Sequence, residues 1–215
     1  MILALLAAVL VGGAPAAAPL SPETASAVSG LQSWLDGTRT LEARFRQSLV
    51  SGALGTTASE AGRLYLERPG RMRWDYLDPE RKIAMLIGER TSLYLEEDRQ
   101  LIRGSLGAQD SALPLLLTGD GRLLDLFTAT LTATPTAGGR GAYRLRLAPR
   151  GARGSFAEVT LTLRPKIWSI EDAEVLDEMG NRTTYVFTDV KRNRPLPVGV
   201  FAFEPPPGTE IVDER

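Results

Sequence analysis

The sequence predicts a mainly β chain: one antiparallel sheet of about ten or eleven strands, with one N-terminal helix and one internal pair of short helices. Three observations carry this reading. From Leu41 onward, apolar and polar residues alternate with a period of two in one segment after another, as half-buried strands do. Turn signals (Pro69-Gly70, Asp78-Pro79, Gly88-Glu89, Glu97-Asp98, Met179-Gly180-Asn181) punctuate those segments at the spacing of a meander. Helical spacing is confined to two places, near residues 21–36 and 110–130.

The elements follow in chain order. Ser21-Pro22-Glu23 reads as an N-cap followed by a proline in the first turn. Val28, Leu31, Trp34 and Leu35 then form an apolar stripe, and Asp36-Gly37 ends the helix. Leu41, Ala43, Phe45, Gln47 and Leu49 share one strand face. A loop is expected over 51–60, then strands at 61–68, 71–77, 82–87, 91–96 and 99–103. DSALPLLLTGDGRLLDLFTAT breaks the alternation and reads as two short helices. Asp110 or Ser111 would cap the first and Asp120 the second, with Leu113, Leu116 and Leu117 on one side of the first helix and Leu123, Leu124 and Phe127 on one side of the second. Strands resume at 142–148, 156–164, 167–177, 182–190 and 199–203, and the tail EPPPGTEIVDER is stiffened by proline.

Most of these strands have one apolar face and one charged face, the latter carrying Arg44/Arg46, Arg71/Arg73 and Arg144/Arg146 toward water. A sheet this long curls. All the apolar faces then share one interior, and three short helices are little material to fill it. Such a sheet either closes tightly or retains a cavity.

Composition narrows the chemistry. The chain of 215 residues has no histidine and no cysteine. That excludes a Ser-His-Asp triad, a cysteine nucleophile, disulfides and any nitrogen- or sulfur-ligated zinc or copper site. No metal or cofactor is expected. The formal net charge of −1 does not suggest a nucleic-acid partner. Glu96-Glu97-Asp98 and Asp177-Glu178 fall at turns, where carboxylates are solvated; a glycosidase-type pair must project into one cleft. The apolar run Ile2–Val11, followed by Ala14-Pro15-Ala16 and Ala16-Ala17-Ala18, reads as an export signal over residues 1–18 cleaved near Ala16–Ala18. Residues 19–215 then form a single exported, soluble domain.

One charge stands out. In ERPGRMRWDY (67–76), Met72, Trp74 and Tyr76 alternate with charged residues after the Pro-Gly turn, but Arg68 shares the face of Leu64 and Leu66. It is either an arginine snorkelling past a strand end or a five-donor fork binding carbonyls of whatever caps the interior.

FRQ (45–47), RPGRMRWDY with Pro79, LPLLLTGDGRLLDLF (113–127), IEDAEVLDEMGNRTTYVFTDVKRN and FAFEPPPGTEIVD occur in an order that resembles the LolA family of periplasmic lipoprotein carriers. The resemblance spans essentially the whole mature chain. It implies an unclosed β-barrel with a helical lid over a hydrophobic cavity. It implies a periplasmic, non-catalytic and monomeric carrier that takes lipoproteins, by their acyl chains, from an inner-membrane ABC transporter to an outer-membrane receptor. It makes Arg68 the lid latch and puts Trp74 on the cavity wall; with the strand alternation, Leu64, Leu66, Met72, Tyr76 and Phe45 are expected around the same acyl-binding cavity. Leu113, Leu116, Leu117, Leu123 and Phe127 belong to the lid helices. The family often has an aromatic residue where this chain has Met72. Two other classes stand beside the carrier reading: a half-barrel that senses lipid or binds another lipid or glycolipid, and a carboxylate-based envelope hydrolase, against which the absence of histidine and the turn positions of the acidic clusters count.

Overall fold

The computed structural model describes residues 20–106, 112–119, 121–134, 141–150 and 156–214. The expected signal segment and the proposed caps Asp110, Ser111 and Asp120 lie outside them.

A single twelve-stranded sheet forms the body, in the spatial order β12-β6-β5-β4-β3-β2-β1-β11-β10-β9-β8-β7. Its strands are β1 (Thr40–Val50), β2 (Thr57–Glu67), β3 (Arg71–Asp78), β4 (Lys82–Ile87), β5 (Arg90–Leu95), β6 (Gln100–Ser105), β7 (Phe127–Ala133), β8 (Tyr143–Pro149), β9 (Phe156–Leu163), β10 (Ile170–Asp177), β11 (Arg182–Arg192) and β12 (Glu210–Asp213). Neighbours are antiparallel throughout except β12, which runs parallel to β6. The two ends of the sheet do not pair, so the barrel is unclosed. The helices are α1 (Pro22–Asp36), α2 (Ala112–Thr118) and α3 (Leu123–Leu126).

Helix α1 starts as the sequence predicts: Ser21 Oγ accepts from Thr24 N at 3.2 Å. Its buried residues Ala27, Val28, Leu31 and Leu35 face the sheet, where α1 meets β7 and β8. Gly30 is required there, because the Trp168 indole lies where a Cβ would sit. Below α1 the inner face of β8–β10 is packed solid, with Leu145, Leu147, Val159, Leu161, Leu163 and Ala173 wholly buried. Over β3–β6, by contrast, the inner face is not filled.

Five expectations need correction. Strand β2 begins at Thr57, not 61, because the hairpin with β1 continues through Ala58–Ser59 opposite Ser48–Leu49. Phe127 is the first residue of β7, not part of a helix: Phe127, Ala129 and Leu131 alternate with Thr128, Thr130 and Thr132, and the β-branched threonines favour a strand. Residues 199–201 form a turn and 202–203 have no regular structure, and the strand of that region is β12 in the tail. The second lid helix starts after Arg122, later than expected, and Gln32 Oε1 on α1 accepts from Leu123 N at 2.8 Å.

The fifth correction concerns the outer face, which is not uniformly solvated. Residues after β11 cross it as a strap: Arg73 Nη1 donates to Val200 O at 2.7 Å, and Phe203 packs 5.1 Å from Tyr94. The Arg73 side chain retains only 14% exposure, held by Asp75 at 2.5 Å. Tyr65, Tyr94 and Leu101 are buried outside the main core. The sequence pattern could not reveal this, since a strap over a charged face leaves the alternation unchanged.

Candidate functional site: a cavity under a latched helix

Helix α2 lies across the inner face with Leu113, Leu116 and Leu117 all buried. A seven-residue helix has little intrinsic stability, and its last carbonyls lack intrahelical donors. The β2–β3 turn supplies donors. Arg68 Nη1 donates to Leu117 O at 3.2 Å, Arg68 Nη2 donates to Gly119 O, and Gly70 N donates to Thr118 O at 3.4 Å. Three consecutive carbonyls at the C-terminus of α2 thus meet one turn, and the cation sits at the negative end of the helix. Arg68 N also donates to Arg39 O at 2.8 Å, which fixes the base of the turn to the start of β1.

Beneath α2 is a cavity of about 320 Å³. Its wall is mostly apolar and includes Met72, Trp74 and Tyr76 from β3, Ala84 and Leu86 from β4, Leu93 from β5, Ile102 from β6, Leu113 and Pro114 from α2, and Tyr185 from β11, with Thr91, Ser92 and Glu214 adding polar groups on the β5–β6 side. Strand pairing explains the lining: Trp74 lies opposite Ala84, Ala84 opposite Leu93, and Leu93 opposite Ile102. The cavity ends where aromatic rings crowd together. Phe45 meets Trp74 edge-on at 4.7 Å and Tyr76 at 5.0 Å, while Tyr185 and Phe187 lie 5.3 and 6.3 Å from Trp74. Gly62 makes this crowding possible, since a Cβ there would press on the Phe45 ring and the backbone of Asp75. Trp74 Nε1 donates to Met72 Sδ at 2.9 Å, so the thioether both lines the cavity and satisfies the buried indole.

Both the sequence and the fold have known counterparts. Residues 36–204 match the family described as outer membrane lipoprotein carrier protein LolA. The outer-membrane lipoprotein carrier protein of Methylococcus capsulatus is 30% identical over 87% of this chain and 88% of its own length. That of Pseudomonas aeruginosa is 32% identical over 89% of this chain and 90% of its own length. This chain belongs to the LolA family. A solved structure of a conserved protein from Thermus thermophilus shares the fold alone, with a TM-score of 0.56 at 14% identity, covering 89% of this chain and 99% of that one.

Within this LolA-family chain, the residues singled out from sequence do not all meet at one place. Met72, Trp74 and Tyr76 line the cavity. Leu64 and Leu66 do not; they line a separate, narrow crevice of about 20 Å³ together with Leu117 of α2. Phe45 borders neither space and instead buttresses Trp74 and Tyr76. Leu123 is buried in α3, and Phe127 is buried in β7 against Phe156 at 6.3 Å. Sequence reasoning missed the wall from β4, β5 and β6. Its signal was present, because Ala84/Leu86, Leu93 and Ile102 occupy alternate positions on their strands. What was hidden is that the helical cover stops short of these strands.

Proposed function

We propose that this protein is a periplasmic carrier that shields the acyl chains of lipoproteins released from the inner membrane and passes them to the outer membrane. The observation that carries the reading is an apolar cavity roofed by a helix whose C-terminus is held chiefly by one arginine-bearing turn, in a chain of the LolA family. An inner-membrane ABC transporter would supply the cargo and an outer-membrane receptor would accept it. The binding step involves no catalysis.

Energetics constrain how such a carrier works. Each buried methylene is worth about 0.8 kcal/mol against water. Burying one chain of about sixteen carbons therefore gains about 12–13 kcal/mol, and burying a second would exceed the ceiling of non-covalent affinity, about −18 to −21 kcal/mol. Release into water is then too slow to be useful, and the chain must pass directly to another apolar site so that only the difference in affinity matters. Hydrogen bonds to a charged donor contribute about 1.5–3 kcal/mol each. A latch of that size keeps the empty state closed, and burial of a few methylenes overcomes it.

Two measurements test this. Depleting the protein in its native cell should leave lipoproteins at the inner membrane, and correct sorting after depletion would refute the carrier reading. Arg68→Leu should fold normally yet load or release lipoprotein poorly; transfer at the native rate would refute the latch.

A further inference from the structure

Away from the lid, polar and charged side chains enter the inner face beside Leu49 and Leu95. Tyr76 on β3 and Tyr185 on β11, which line the end of the cavity, are followed by Gln47 on β1, Glu60 on β2 and Lys82 on β4. Pairing sets Gln47 opposite both Glu60 and Tyr185, and Tyr76 opposite Lys82. These residues form a connected layer. Tyr76 Oη donates to Gln47 Oε1 at 3.0 Å, Lys82 Nζ bonds the Glu60 carboxylate, and the same ammonium lies 4.4 Å from the centre of the Tyr76 ring. The side chains of Lys82 and Glu60 keep 23% and 21% exposure, so the ion pair is largely enclosed. Burial, aided by the Glu60 charge, pushes the Tyr185 phenol up to about 12, so it stays neutral at any physiological pH.

Enclosing an ion pair carries a desolvation cost. Apolar residues at these positions would simply extend the cavity. The cavity wall runs from Leu113 and Pro114 at the lid to Tyr76 and Tyr185, the members of the layer that face it. We propose that the Gln47–Glu60–Tyr76–Lys82–Tyr185 layer is a depth stop, which makes the cavity select acyl chains by length. The inference rests on the carrier reading. The polar head of a cargo stays at the lid end, in contact with water, and the tail advances toward Tyr76. Each methylene that reaches apolar wall raises affinity roughly fourfold. A methylene driven past Tyr76 must displace Lys82 or Glu60 and leave its partner unpaired, which costs more than the methylene gains. Affinity therefore climbs with chain length and then breaks.

The experiment measures binding of synthetic lipopeptides of one peptide sequence, graded in acyl length, to the delipidated protein. The native protein should show a break. The double variant Glu60→Leu/Lys82→Met should move the break to longer chains, gaining roughly fourfold per methylene beyond the native limit. Ala84→Leu, which narrows the wall just above the layer, should move it to shorter chains. The two variants pull in opposite directions, so Ala84→Leu decides the matter if the double variant does not fold. Binding with a break that neither variant moves overturns the depth stop alone. Failure of the native protein to bind any lipopeptide overturns the carrier reading and the depth stop with it.

Discussion

At the scale of single residues, side chains that look alike in the sequence have unlike tasks. Arg68, Arg71 and Arg73 stand within six positions of one another. Arg68 binds the lid carbonyls, Arg71 pairs with Glu67 at 3.5 Å, and Arg73 anchors the outer strap. Only the first was readable from sequence, through its parity with Leu64 and Leu66, because the partners of the others come from folding at a distance. Glycine shows the same dependence. Gly30→Ala would normally favour a helix, yet here the methyl meets the Trp168 indole. We expect the substitution to lower unfolding free energy by about 1–3 kcal/mol in a denaturant titration, the cost of overpacking. Asp177, at the β10–β11 turn, accepts from Met179 N at 2.9 Å, Asn181 N at 2.8 Å and Asn181 Nδ2 at 2.7 Å. The Asn181 side-chain bond leads in holding its carboxyl below the usual aspartate range, and the backbone donors add to it. A lowered folded-state pKa means the stabilisation is present above the ordinary value and is lost as pH falls through the folded one. Amide exchange at Met179 and Asn181 should therefore quicken in acid beyond its intrinsic pH dependence, and Asp177→Ala should abolish that excess.

At the scale of elements, the tail illustrates how a motif can be visible while its purpose is not. FAFEPPPGTEIVD was legible as a proline-stiffened segment. The structure makes its first half a strap on the outer face and its second half the parallel strand β12, with Glu210 N and Glu214 N donating to Arg99 O and Arg103 O at 2.8 Å. The β12 strand covers the β6 edge of an unclosed sheet, and an uncovered edge is a template for pairing with another chain. Deleting residues 205–215 should therefore produce a protein that self-associates with rising concentration, as sedimentation would register; a truncated protein that stays monomeric would show that β6 needs no cover. The missed strand β7 teaches the complementary lesson. Its first residue continues the leucine-rich run of α3, so helical spacing and strand alternation overlap at Phe127. Pairing with β8 resolves the ambiguity in favour of the strand.

At the scale of the whole molecule, the cavity is small for its proposed cargo. About 320 Å³ lies near the lower end of the roughly 300–1,000 Å³ typical of small-ligand sites. Acyl chains must therefore lift α2 as they enter. The amides of Leu116 and Leu117 should exchange faster in the lipopeptide-loaded protein than in the empty one, although loading stabilises the fold as a whole by mass action. Equal or slower exchange at these amides on loading would mean that the lid does not move. The sequence by itself determined that the chain is one curled antiparallel sheet with too few helices to fill it, because strand periodicity, turn residues and helix length are local properties. It also determined that Arg68 points with the apolar row, since pleat parity is fixed by counting. Tertiary structure alone decided where the unfilled space lies. Packing of α1 fills the β8–β10 side, α2 reaches only part of β3–β6, and Glu60 and Lys82 pair from two strands beyond Tyr76. Those outcomes depend on how distant segments divide a shared volume, and the pattern within any one segment does not encode that division.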